Sequence, residues 1–450
     1  PLEWLMSDKI VAFPLSSGVT TPVAHFIRIG SAHRKLSELV AAGRLPARRF
    51  VIEASRVEAQ QALMDELHEA GAQLVLDPQV AELSTIGRFQ SQARHAPWSE
   101  LGDGKPLWPE LFAPKSKADV IGSIARMAVS KKFDVVLAPT HFLADPNFSD
   151  WLSVDQKACV ALRNALDREG GREIGIDFPV IHSHTELQRP EVRSELMERL
   201  PDLPFDNLWI RASGVDALVG PLALRRYLDM MAGLHNLGKP IIADYLHGLT
   251  STAAIAFGAV SGKAHGIGEQ ERFDARSWHK PVLRDDDAPF RRTVRIGVPS
   301  LGRTLTKPEL EALAKARGGR KLVACGDRAC CANGLDDMLG NPRRHAAFQA
   351  ISEMERVSNV PDQNRADHFV NIELKQSARL ARDVKRLKPR EAEGVKLDSL
   401  MKRLEEHSQR MDRIEEALED YHSKRPNGAP RAQPLSTVRT RSETETKKKQ

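Results

Sequence analysis

The chain has 450 residues, 41% of them hydrophobic and 28% charged, with only 4 cysteines. That length predicts one large domain with additions, or two to three average ones. The composition is that of a globular protein, and no apolar run approaches the roughly 20 residues of a membrane span. The formal net charge is +6, but residues 425–450 hold seven Lys or Arg against two Glu, which is +5, so the remainder is near +1. Contact with nucleic acid therefore falls to a local basic groove or to this tail.

Residues 1–7 lack the basic head and apolar core of a signal peptide. The few cysteines suit a reducing cytoplasm, which is the expected location. Short apolar runs predict strands at 10–14, 49–53, 73–76, 134–138, 173–178, 208–212, 240–243 and 293–298. Residues 253–260 and 321–324 read as strand or as buried helix. Amphipathic stretches lie between most strands, at 57–70, 119–129, 156–168, 189–199 and 221–237. Strands alternating with helices of this length predict parallel βαβ units. About eight repeats over some 300 residues favour a closed (β/α)8 TIM barrel over an open sheet. No G-x-G-x-x-G or Walker loop follows a strand, which argues against a dinucleotide or nucleoside-triphosphate fold.

After the strands come Cys325, Cys330 and Cys331, with His345 fourteen positions further on. Three thiols and an imidazole make the ligand set of a structural zinc site. Buried apolar cysteines, or a vicinal disulfide, are the rival readings. Cys159 lies alone in a helical pattern and reads as core. Residues 342–357 read as a helix carrying His345. Leu397, Leu400, Leu404, His407, Met411, Ile414, Leu418 and Tyr421 alternate steps of 3 and 4, the seam of a coiled coil. This predicts a homo-oligomer or a protein partner bound through 397–421, with a single helix packed on the body as the bland alternative. Residues 425–450 are polar and basic and read as disordered. The expected organisation is a barrel over 1–315, a zinc-binding subdomain over 316–365, a helical coiled-coil extension over 366–424 and a disordered basic tail.

Function in a (β/α)8 barrel sits at the C-terminal ends of the strands. That rule selects Asp77, His141, Asp177, His182, His184, Arg211, Asp244, His247, His265 and Glu269. Asp77 and Asp244 suit helix caps equally well. His265 stands among glycines, including Gly258, where backbone can approach a ligand closely. Arg211 suits a phosphate or carboxylate, or an interior ion pair with Asp177.

The order of these elements resembles the tRNA-guanine transglycosylases, with their DNA-modifying 7-deazaguanine relatives. The similarity covers most of residues 70–360. QLVLDPQVAELS (73–84) is similar to the family's strand and base-recognising aspartate segment. DVVLA (134–138), the unit over 175–214 and the Lys-Pro strand and helix over 239–258 are similar to successive barrel units. The cysteine and histidine cluster matches the family's zinc ligands in type and order, although C-x4-C-C replaces the family's C-x-C-x2-C. The resemblance implies a glycosyltransferase that exchanges a guanine for a 7-deazaguanine base in nucleic acid, DNA before tRNA, with a structural zinc. Asp77, Glu269, Asp244 and His265 are its catalytic candidates. His141, Asp177, Arg211 and Gly258 are its substrate-binding candidates. One departure matters: the family's nucleophilic aspartate falls near 261–265, in GAVSGKAHGIGE, where this chain has no Asp. A repurposed, non-catalytic barrel serving as a nucleic-acid-binding or assembly subunit through its coiled coil is the alternative. An unrelated barrel hydrolase using two carboxylates, such as Asp77 and Asp244, is a third.

Overall fold

The computed structural model describes residues 22–435 except 44, 46–47, 90, 114–115, 147, 268–272, 281–293 and 427–428. The expected strand at 10–14, the candidate Glu269 and residues 436–450 lie outside the described residues.

Eight parallel strands close into a barrel in sequence order. They are β1 (Ala24–Arg28), β2 (Arg49–Glu53), β3 (Gln73–Asp77), β4 (Val135–Leu137), β5 (Gly175–Ser183), β6 (Leu208–Ser213), β7 (Ile241–Asp244) and β8 (Gly262–Gly266). Six match the sequence expectation; β1 and β8 do not. β8 reads GKAHG, a poor strand by propensity. It is nevertheless the seam that closes the barrel, pairing with β1 from Ala24↔Gly262 to Arg28↔Gly266. A Cβ on Gly262 would overlap the Ala24 carbonyl, so only glycine permits this approach. The run at 293–298 forms β9 (Arg295–Val298), which pairs antiparallel with β10 (Arg303–Thr306) outside the barrel. Residues 253–260 include the end of a buried helix, Gly248–Ala256, rather than a strand.

Strand side chains alternate between faces. Ala24, Phe26, Val51, Val75, Val135, Leu137, Trp209, Ile242 and Ala264 therefore fill the barrel interior. Their outward neighbours join the larger core beneath the helices, which include α1 (His33–Ala41), α2 (Gln61–Glu69), α3 (Val120–Ser130) and α4 (Trp151–Arg168).

Beyond the barrel, the helix Pro342–Ser358 packs against α1 and β9. The heptad segment is one helix, Leu397–Ser423. Its seam is not free: Leu400, Leu404, His407, Met411, Ile414 and Leu418 are buried within the chain, against helices Lys375–Lys385 and Pro221–Ala232. Tyr421 donates to Asp229 at 2.8 Å, and His407 Nε2 donates to the Leu301 carbonyl at 2.8 Å. The helix thus packs on its own chain, the alternative of a single helix on the body, and a coiled coil is not shown.

Part of the tail expected to be disordered is seated. Ala432 N–H donates to the Gly258 carbonyl at 2.8 Å, Ser261 donates to the Gln433 carbonyl at 2.5 Å, and Leu435 packs on the interior cluster. These contacts cover the N-terminal end of the barrel. Among the described residues, no helix is long and apolar enough to cross a membrane.

Candidate functional site

At the C-terminal mouth, four charged side chains meet. Arg28 ends β1, Asp77 ends β3, Arg211 lies on β6 and Asp244 ends β7. All four are buried. Asp77 Oδ2 accepts from Arg28 Nη1 and Arg211 Nη2, each at 2.8 Å. Asp244 Oδ2 accepts from Arg28 Nη2 and Arg211 Nε, each at 2.6 Å. Asp244 Oδ1 accepts from Arg28 Nε at 2.8 Å and from the Tyr245 N–H at 2.9 Å. Two positive and two negative charges thus neutralise one another inside the barrel, which lowers the cost of burying them.

The two carboxylates are not equivalent. A carboxylate offers about four lone-pair sites. Asp244 has all of them occupied. Asp77 has three, the third taken on Oδ1 by the Gln79 N–H at 3.0 Å, so among the described residues one position on Oδ1 stays open. Burial alone would raise the Asp77 carboxyl, but Arg211 and Arg28 overrule it and hold it at about 2. The backbone beside both carboxylates is unusual. Gln79 and Tyr245 adopt left-handed conformations, with φ of 57° and 56°, which cost energy for non-glycine residues and concentrate at functional sites.

Tyr245 lies under the Arg28 guanidinium, 4.1 Å from its ring centroid, and its hydroxyl accepts from Arg28 at 3.2 Å. Glu82 completes the group from the short helix Val80–Leu83. It is buried, its Oε2 has no hydrogen-bond partner among the described residues, and burial followed by the Asp77 charge pushes it up to about 7. An apolar roof of Ala81, Phe142, Ile181, Phe273, Ala275 and Trp278 packs with Tyr245. Phe273 stacks on Tyr245 at 4.9 Å, with Trp278 edge-on to it.

The other expected residues are scattered. His265 faces outward, because its neighbour Ala264 points into the barrel. It stacks on His25, with 2.9 Å between the two Nε2 atoms, and burial, then Lys263, lowers it to about 3. It lines a cavity of about 550 Å³ with His247, Lys263 and Glu353, on the far side of the barrel wall from Asp77. His265 is therefore not a partner of the mouth carboxylates. Asp177 sits in the N-terminal half of β5 and accepts from Trp209 Nε1 and Asn207 Nδ2, each at 2.8 Å. The Arg211–Asp177 pair does not form, since Arg211 binds Asp77 and Asp244 instead. Gly258 lies at the barrel base with φ of 67°, where a Cβ would strike Arg431; this corrects its assignment to substrate.

His141 follows β4 and is buried. Its Nδ1 lies 2.6 Å from Asp155 Oδ1, its ring stacks on Trp151 at 3.7 Å, and its Nε2 has no partner. His182 Nδ1 accepts from the Ser183 N–H at 2.9 Å. His184 lines a separate surface pocket with Ser213 and Arg276.

The ligand atoms of Cys325, Cys330, Cys331 and His345 all lie within 4.8 Å of one another, and all four residues are buried. The Cys330 and Cys331 sulfurs are 3.6 Å apart, and each is 3.4 Å from His345 Nδ1. A tetrahedral ion with metal–sulfur bonds near 2.3 Å needs sulfur–sulfur edges of about 3.8 Å. His345 Nε2–H donates to the Gly297 carbonyl at 3.0 Å, which leaves the Nδ1 lone pair facing the thiols. Gln349 donates to Cys325 Sγ at 3.5 Å. All four cysteines are free thiols, so the vicinal disulfide does not form. The cluster can hold a metal ion.

Arg28, Glu82, Tyr245 and Asp155 escaped the sequence reading. Glu82 alone carried a signal, as an acid five residues past the already selected Asp77. No family model and no curated protein matches this chain.

Proposed function

We propose that the chain is a transglycosylase-like barrel that exchanges a purine base, guanine for a 7-deazaguanine, in nucleic acid, DNA before tRNA. The observation that carries this reading is Asp77: an ionised carboxylate at a strand end in the barrel mouth, oriented by two arginines and a backbone N–H, with one acceptor position open. Base exchange needs a carboxylate to take up the anomeric carbon while a base departs. Asp244, with every lone pair occupied, serves as the anchor for Arg28 and Arg211. The following Cys3His cluster supports the reading by its place in the chain. The same reading assigns it a structural zinc, and its free thiols suit a reducing cytoplasm.

Acting on a duplex requires the base to be extruded and Phe273 and Trp278 to move aside. The test offers labelled guanine and labelled 7-deazaguanine with DNA and with tRNA. Incorporation by wild type, abolished in Asp77→Asn, is expected; no incorporation into either nucleic acid sinks the proposal.

A second reading is favoured by one observation. Each arginine of the mouth meets both aspartates beneath the roof, and neither Asp77 nor Asp244 lines the 550 Å³ cavity. On that reading the barrel binds nucleic acid without chemistry. Retention of labelled DNA or tRNA with no base exchange would select it.

A further inference from the structure

Three features compete outside the arginine–aspartate pairs: the cavity beside β8, the His141–Asp155 pair and the buried Glu82. The cavity lining mixes Lys263, Arg356 and Arg410 with Glu353, Glu373 and Glu406, so its charge selects no ligand class. The pair at His141 is walled by Trp151 and Phe112. Glu82 stands with the group that the proposed chemistry uses.

We propose that Glu82 is the catalytic acid that hands a proton to the departing purine and recovers one from the incoming base. This rests on the base-exchange reading and adds the proton donor that it lacks. The geometry has three parts. Glu82 follows Asp77 by five residues, through the left-handed Gln79, so a single turn delivers both carboxyls to the mouth. Among the described residues its Oε2 is buried without a partner, and an unsatisfied buried acid calls for a role, a catalytic one among them. Asp77, Arg211 and Tyr245, all at the mouth, interact electrostatically with its carboxyl, and Ala81 beside it belongs to the roof.

The charged and titratable groups that act on Glu82 are Asp77 on β3, Arg211 on β6 and Glu53 at the end of β2. Tyr245 after β7 also feels Glu82. Asp77 and Glu53 favour the protonated acid, and Arg211 opposes it. The neighbouring carboxyls are therefore pushed apart, Asp77 down and Glu82 up, the pattern that separates a nucleophile from a general acid.

The step balances. An Asp77 oxygen forms a bond to C1′ as the C1′–N9 bond breaks, and the electron pair goes to N9. The Glu82 carboxyl gives its proton to the departing base and becomes a carboxylate. In the second half, N9 of the incoming 7-deazaguanine bonds to C1′, its N9 proton passes to Glu82, and Asp77 leaves with its electron pair.

The test follows release of the departing base, with no incoming base present, from the same nucleic acid carrying guanine or N7-methylguanine, whose positive ring leaves without a proton. With wild type, guanine release should fall as pH rises past about 7, while N7-methylguanine release stays level. Glu82→Gln should lose about 10²–10⁴-fold with guanine and less than about 10-fold with N7-methylguanine. Parallel pH profiles in wild type, or equal losses for both bases in Glu82→Gln, overturn the role of Glu82 while leaving base exchange standing. No release of either base by wild type overturns both. The wild-type profile decides the matter even where the variant does not fold.

Discussion

Arg28 grips Asp244 with two arms of its guanidinium, Nε to Oδ1 at 2.8 Å and Nη2 to Oδ2 at 2.6 Å. The same arginine reaches Asp77 with its remaining nitrogen. One residue of the closing strand thus ties together β1, β3 and β7. Removing a single partner from a buried charge network leaves the others uncompensated. Asp244→Ala should therefore cost about 3–5 kcal/mol, read as a lowered urea midpoint. A loss under about 1 kcal/mol would mean that water already screens the cluster.

Glu82 gives stability a pH dependence of known sign. Its carboxyl rises from 4.5 in the unfolded chain to about 7 in the folded one. Between those values the folded state holds the extra proton, so stability is fully present below about 4.5 and falls as pH rises to about 7. Glu82→Gln removes that loss. Relative to wild type it should gain on the order of 3 kcal/mol at pH 8, and no such gain at pH 4. An equal difference at both values contradicts the raised carboxyl.

Asp77 works in the opposite direction. Its carboxyl is held below the ordinary 3.8, at about 2. Its contribution is present above about 4 and is lost as pH falls through 2. Asp77→Asn should flatten the acid limb of the wild-type stability curve over that window in chemical denaturation. An unchanged limb would assign the acid sensitivity to other groups.

The Cys3His cluster predicts about one metal equivalent per chain under reducing conditions, measured by elemental mass spectrometry. Cys330→Ser and His345→Ala should each bring this near zero and lower the thermal midpoint. Wild type without metal removes the assignment.

Truncating the chain before Leu397 should not convert an oligomer into a monomer. It should uncover the apolar surface that the helix now protects, with aggregation or a lower melting temperature as the result. Leu404→Ala within the full chain should cost about 2–5 kcal/mol. A stable truncated chain with smaller assembly mass would restore the coiled coil.

Much of the barrel was legible because its inner strands hold short apolar runs, as at 74–76 and 208–210. β1 and β8 were not, since AHFIR and GKAHG carry polar or glycine residues for reasons that only pairing reveals. Arg28 is inside because Asp77 and Asp244 meet it there, 49 and 216 residues away along the chain. Asp77, Arg211 and Asp244 were visible as strand-end residues, but their mutual pairing was not. His265 was misplaced because its phase on β8 depends on the Ala24–Gly262 register. The Cys3His cluster was readable from residue type alone, while the Gly297 carbonyl that orients His345 was not. The heptads of the last helix report an apolar stripe, and sequence periodicity does not say whether the cover comes from another chain or from this one.

The seat of residues 429–435 has a consequence for how the molecule is made. Arg431 bonds the Ala256 carbonyl 175 residues upstream. The nascent chain therefore completes its eight strands long before their lower opening is closed. Throughout that interval the ring interior lacks its last apolar contact, Leu435. Closure of that opening waits for the helix Leu397–Ser423 and the strap beyond it to be made, so it trails the formation of the strands themselves.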